Sequence, residues 1–72
     1  MVDMIPVQSS NVEGYTWDSE TGILNVWFLS GSQYESQVAI PENVIEEVFK
    51  NGSVGSNYYK LIRNSYPMVK II

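Results

Sequence analysis

The residues that decide the fold run Ile23-Leu24-Asn25-Val26-Trp27-Phe28-Leu29, then Ser30-Gly31-Ser32, then Gln33-Tyr34-Glu35-Ser36-Gln37-Val38-Ala39-Ile40, and then Pro41. Over 23–29, Leu24, Val26 and Phe28 share one face of an extended chain, and Ile23, Asn25, Trp27 and Leu29 share the other. Apolar groups on both faces mark the central strand of a sheet. Ser30-Gly31-Ser32 turns the chain. Residues 33–40 then alternate, with Tyr34, Ser36, Val38 and Ile40 set against Gln33, Glu35, Gln37 and Ala39. That is the pattern of a strand with one wet face. Towards the N-terminus, residues 11–17 begin with alternation that Gly14 interrupts, the signature of a bulge. Asp18-Ser19-Glu20-Thr21-Gly22 is a turn cluster. Short turns joining three such segments predict an antiparallel meander.

Pro41 opens the helical half, since proline suits the first helical position, where its missing N–H has no partner anyway. Val44, Ile45, Val48 and Phe49 form one apolar stripe, with Glu46 and Glu47 at or beyond its polar edge. Asn51-Gly52 stops this helix and Ser53 can cap a second one. In that second helix Val54, Tyr58, Leu61 and Ile62 share one face, Asn57, Lys60 and Arg63 another, and Pro67 ends it. The tail, Met68-Val69-Lys70-Ile71-Ile72, is apolar enough for a short last strand or a docking segment. The expected fold is therefore α+β: a three-stranded antiparallel meander followed by two α-helices packed on one face, with the tail as an optional further strand.

Seventy-two residues make one domain, residues 1–72. A chain this short buries about 60% of the surface its unfolded form exposes, and one core of this size supplies on the order of 3–5 kcal/mol. There is no Cys and no His. That removes disulfides, thiolate nucleophiles, the commonest zinc ligands and the commonest general base near neutral pH. The remaining hydroxyls have no evident activating base, so a non-enzyme with no metal and no cofactor is expected. The chain has no apolar run of the ~18 residues a membrane span requires. Met1-Val2-Asp3-Met4 has neither the positive n-region nor the apolar h-region of a signal peptide, which makes the cytoplasm the expected compartment.

Charge is divided along the chain. All eight acids (Asp3, Glu13, Asp18, Glu20, Glu35, Glu42, Glu46, Glu47) precede residue 48, and all four bases (Lys50, Lys60, Arg63, Lys70) follow residue 49, for a net charge of −4. The two halves can attract each other within one fold, or pair head to tail between copies as a homo-oligomer. A net negative chain is a poor general polyanion binder, so any phosphate contact must come from the basic C-terminal part.

One ordered set of short pieces resembles the KTSC domain, a module named for its place at the C-terminus of some lysyl-tRNA synthetases and also found as a stand-alone protein in bacteria and phages. The pieces are Ser9-Ser10-Asn11-Val12, Gly14-Tyr15, Leu24-Asn25-Val26-Trp27-Phe28, Gly31, Tyr34 and Val38-Ala39-Ile40-Pro41 with Val44. Ser53-Val54-Gly55, Tyr58-Tyr59-Lys60-Leu61-Ile62 and Tyr66 follow. The resemblance spans about residues 9–66. It departs from the family at one place: the Tyr-x-Tyr signature reads Tyr34-Glu35-Ser36 here, which puts in question any role needing both rings. The resemblance implies RNA binding as a direction for function.

Several residues can carry such a function. Lys60 and Arg63, one helical turn apart with Tyr59 beside them, combine cations with an aromatic plane, as binders of single-stranded RNA or DNA do; Asn57 can add hydrogen bonds. An ordinary solvated helix face has the same composition. Gly52-Ser53-Val54-Gly55 reads as a G-x-x-G loop that clamps a nucleic-acid backbone, although a helix C-cap followed by close packing produces the same spacing. Tyr15, Trp17, Trp27 and Tyr34 can line one sheet surface for stacking, or serve the core. Trp27 opposes the Leu24–Val26–Phe28 face and should point outward unless the tail covers it. With Tyr34, Met68 and Ile71 it forms the candidate surface of a protein-interaction module or inhibitor, the alternative function. Asp18-Ser19-Glu20 lacks the further oxygen ligands of a calcium loop.

Overall fold

A computed structural model describes residues 4–72 of the chain. The expectation resting on Met1 to Asp3 lies outside the described residues. The elements are β1 (Ile5–Pro6), β2 (Val12–Trp17), β3 (Leu24–Phe28), β4 (Gln33–Ser36), α1 (Glu42–Lys50), α2 (Val54–Asn57), a π-helical segment (Tyr58–Arg63) that continues α2, and β5 (Met68–Lys70). All five strands form one antiparallel sheet in the order β1-β2-β3-β4-β5. The α+β meander with two helices is present, with two additions. The tail does form a strand, and Ile5–Pro6 adds one at the opposite edge.

Register explains which side chains meet the helices. Tyr15 pairs with Val26 and Trp17 with Leu24, but Val12 pairs with Phe28, because the ladder shifts between Val12 and Gly14. The expected bulge at Gly14 is thus real. It reverses the parity of the strand, so Val12 and Tyr15 both face the core. Val12, Tyr15, Leu24 and Val26 from the sheet meet Ile45, Val48 and Phe49 from α1, and Val54, Tyr58 and Ile62 from the second helix; all are buried. Burying each such side chain contributes on the order of 1.5–3 kcal/mol before entropy is counted. Tyr15 stacks on Phe49 with centroids 3.8 Å apart.

The strand expected over 33–40 ends at Ser36. Beyond it the Gln37 N–H donates to the Pro67 carbonyl (3.0 Å) and the Ile40 N–H to the Gly22 carbonyl (2.8 Å), so the chain leaves the ladder to reach α1. Pro41 stands one residue before the helix as its N-cap, and its carbonyl accepts from Val44 and Ile45 N–H. Ser36, the departure from the Tyr-x-Tyr pattern, is buried, and its Oγ accepts a hydrogen bond from the Leu24 N–H (2.8 Å). The position belongs to the core, where a hydroxyl satisfies a backbone donor that burial would otherwise leave unpaired. No helix among the described residues is long and apolar enough to cross a membrane.

Candidate functional site

Two pieces of chain from opposite ends of the sequence converge on one groove. Gln8, Ser9, Ser10 and Asn11 lie along one side and residues 53–56 along the other, with Tyr59 completing the lining of a cavity of about 480 Å³. Ser9 shapes its own side: Oγ accepts from the Val12 N–H (3.2 Å) and donates to Asn11 Oδ1 (2.9 Å). Gly55 explains how the two sides come so close, because a Cβ there would lie 2.5 Å from Asn11 Oδ1. The lining is rich in hydroxyls and amides and contains no carboxylate.

Tyr59 also lines a second cavity, of about 150 Å³, together with Phe28, Ser30, Ser32, Tyr34 and Arg63. The Arg63 guanidinium carbon lies 5.9 Å from the Tyr59 ring centroid and 6.0 Å from that of Tyr34, at the outer range of cation–π attraction. A π-helical turn carries Tyr59, Lys60 and Arg63. Such turns are rare and recur at functional sites. Tyr59 is 47% exposed, so much of its ring is open to solvent.

Beneath this cluster, Tyr58 packs edge-on against Phe28 (5.5 Å) and Tyr59 (5.7 Å). Its hydroxyl is buried without a hydrogen-bond partner among the described residues. Burial pushes the phenol up to about 12, an effect the nearby Arg63 charge partly offsets. In the unfolded chain the phenol ionises near 10. Stability is thus intact below pH 10 and falls as the pH rises towards 12, by on the order of 2 kcal/mol. Tyr58→Phe removes both the unpaired hydroxyl and this titration. Urea unfolding at neutral pH should show the variant about 1 kcal/mol more stable than the parent, with the difference widening between pH 10 and 12. A variant that is less stable at both pH values would contradict this account.

The other expected site residues divide. Lys60 and Arg63 are both exposed, and of the two Arg63 lines a cavity with Tyr59. Asn57 serves the fold instead, because its Nδ2 donates to the carbonyls of Glu47 (3.2 Å), Val48 (3.4 Å) and Asn51, closing the C-terminal end of α1. Gly52, at φ +65°, is the left-handed residue after α1, and Gly55 is the close-packing point. The G-x-x-G spacing therefore corresponds to a C-cap followed by tight packing. The four aromatics do not share one surface: Tyr15, Trp17 and Tyr34 lie on the helix side of the sheet, and Trp27, paired with Gly14 and Gln33, lies on the other. Tyr34 thereby leaves the Trp27 surface and joins Arg63. Met68, paired with Ser36, packs against the core, while Ile71 is half-exposed beyond β5. Asp18 accepts the Glu20 N–H (2.8 Å), which is turn chemistry.

Lys70, another of the four bases, is paired by the register with Tyr34 on the helix side. Sequence reasoning missed the Ser9-Ser10-Asn11 wall, whose pieces enter it only as parts of the family pattern.

A family model described as the KTSC domain matches residues 8–66. The crystal structure of a KTSC domain protein from Yersinia pestis is similar to this chain with a TM-score of 0.84, covering 97% of each chain at 22% sequence identity. That likeness speaks for the fold alone. No curated protein matches the chain.

Proposed function

The chain belongs to the KTSC domain family, and from that premise we propose that it is a small binding module for single-stranded nucleic acid, RNA foremost. The observation that carries this reading is Tyr59, which lines both the neutral groove and the Arg63–Tyr34 cavity while offering an open ring. A base stacks on Tyr59, Arg63 and Lys60 take the adjoining phosphates, and the serine and asparagine groups of the groove bind sugar or phosphate oxygens through neutral hydrogen bonds. The acids sit elsewhere: neither cavity is lined by Asp or Glu.

Fluorescence anisotropy with a labelled oligouridylate tests the reading. With Lys60 and Arg63 as the two phosphate ligands, the logarithm of the binding constant should fall with the logarithm of salt concentration at a slope of about −1.4. Loss of one stacking ring in Tyr59→Ala should weaken binding roughly 5- to 150-fold. Absence of binding at low salt, or an unchanged affinity in that variant, would overturn the proposal.

The face of the sheet away from the helices supports a second reading, a protein-interaction module. Trp27 lies on that face, and Val69 and Ile71, at the β5 edge, are 44% and 50% exposed. A partner that survives nuclease treatment and is lost in Trp27→Ala would favour this reading over the first.

A further inference from the structure

The sheet face opposite the helices carries a cavity of about 330 Å³ whose polar groups are arranged in rows across the strands. Thr16, Asn25 and Glu35 form one row, and Trp27 and Gln33 the next. Gln33 Nε2 donates to Asn25 Oδ1 (2.8 Å), which turns Asn25 Nδ2 towards Glu35 Oε2 (3.5 Å). Glu35 is thus oriented by its neighbours but receives only a long contact, and most of its acceptor capacity is free. Asp18 adds a second carboxylate at the rim, and no Lys or Arg lines the cavity. The surface combines an indole, a positioned carboxylate and uncompensated negative charge.

We propose that this face receives an arginine side chain from a protein partner. A guanidinium is flat, stacks on an indole and makes paired hydrogen bonds to a carboxylate, so it matches Trp27 and Glu35 together. A lysine ammonium satisfies the charge but neither the stacking nor the paired geometry. Phosphate-bearing ligands are disfavoured by the two carboxylates. The site is distinct from the Tyr59 groove and stands whether or not the nucleic-acid reading holds. It rests on the protein-interaction reading and supplies the recognition chemistry for it.

The test uses the full chain, labelled with nitrogen-15, and two short glycine-spaced peptides that differ only in carrying arginine or lysine. Addition of the arginine peptide should shift the Trp27 indole N–H and the side-chain amides of Asn25 and Gln33 in a saturable way. The lysine peptide should bind at least tenfold more weakly. Glu35→Gln should weaken arginine-peptide binding at least tenfold, and Trp27→Phe should weaken it less. Glu13→Gln removes the same charge from an exposed position outside the cavity and should change affinity less than twofold. Equal binding of the two peptides, or equal losses in Glu35→Gln and Glu13→Gln, would overturn the arginine site. Binding of a partner that depends on Trp27 but not on Glu35 would also overturn it, while leaving the protein-interaction reading standing. If the same signals shift with protein concentration alone, a second copy occupies the face and the proposed partner is wrong.

Discussion

Gly22→Val is expected to lower the melting temperature by roughly 12–32 °C, as followed by circular dichroism. Gly22 sits at φ +75°, and a Cβ there would lie 2.6 Å from the Ala39 Cβ and 2.9 Å from the Ala39 Cα. Left-handed backbone costs a side-chain-bearing residue about 1–2 kcal/mol, and forced overpacking adds about 1–3 kcal/mol. The residue cannot simply move away. Its N–H donates to the Asp18 carbonyl (2.6 Å) and its carbonyl accepts from Ile40 (2.8 Å), which ties the β2–β3 turn to the segment entering α1. A total of about 3–4 kcal/mol approaches the whole stability available to a domain of this size. Gly31 supplies the control: it also has a positive φ, +97°, but a Cβ there would meet nothing within 4 Å. Gly31→Ala should lose no more than about half as much. A melting point for Gly22→Val within a few degrees of the parent would show that the turn can open without cost.

Combining Lys60→Glu with Arg63→Glu should abolish oligonucleotide binding over the measurable concentration range. Each charge-assisted hydrogen bond contributes about 1.5–3 kcal/mol, so losing two costs more than a hundredfold in affinity even before the new repulsion is counted. Both side chains are exposed. Folding should therefore survive, with a loss of only about 1 kcal/mol from the cation–π contacts of Arg63 with Tyr34 and Tyr59. Anisotropy and thermal melting on the same preparation separate the two effects. Retained affinity in a folded double variant would remove these residues from the interface and the nucleic-acid proposal with them.

The core strands and the first helix were legible because their periodicity is long enough to count. Leu24, Val26 and Phe28 define one face, and Ile45, Val48 and Phe49 are the buried part of the expected stripe in α1. Two-residue β1 has no period to detect, and its Pro6 speaks against a strand wherever ladder bonds are needed. The bulge was visible as Gly14, but its consequence was not: one extra residue moves Tyr15 and Trp17 to the side opposite the one that simple alternation gives. The π-helical turn leaves no mark on composition, since Tyr58 to Arg63 would suit an α-helix equally well. At the candidate site, Lys60, Arg63 and Tyr59 were readable as neighbours on one helix. The association of Arg63 and Tyr59 with Tyr34, and that of Ser9 with Gly55, depends on tertiary packing that local spacing does not encode.

The order of the sheet has a kinetic consequence. The β1–β2, β2–β3 and β3–β4 ladders each join strands linked by a short connection, so they can zip from one to the next at little loop-closure cost. The β4–β5 ladder is different, because Ser36 and Met68 bracket both helices, and it can close only after that intervening chain has collapsed. Tyr34 and Lys70 belong to this late ladder, and Arg63 lies just before it in sequence. The proposed nucleic-acid site should therefore be among the last parts of the molecule to assemble. Amides of β3 should accordingly gain protection from hydrogen exchange during refolding before those shared by β4 and β5.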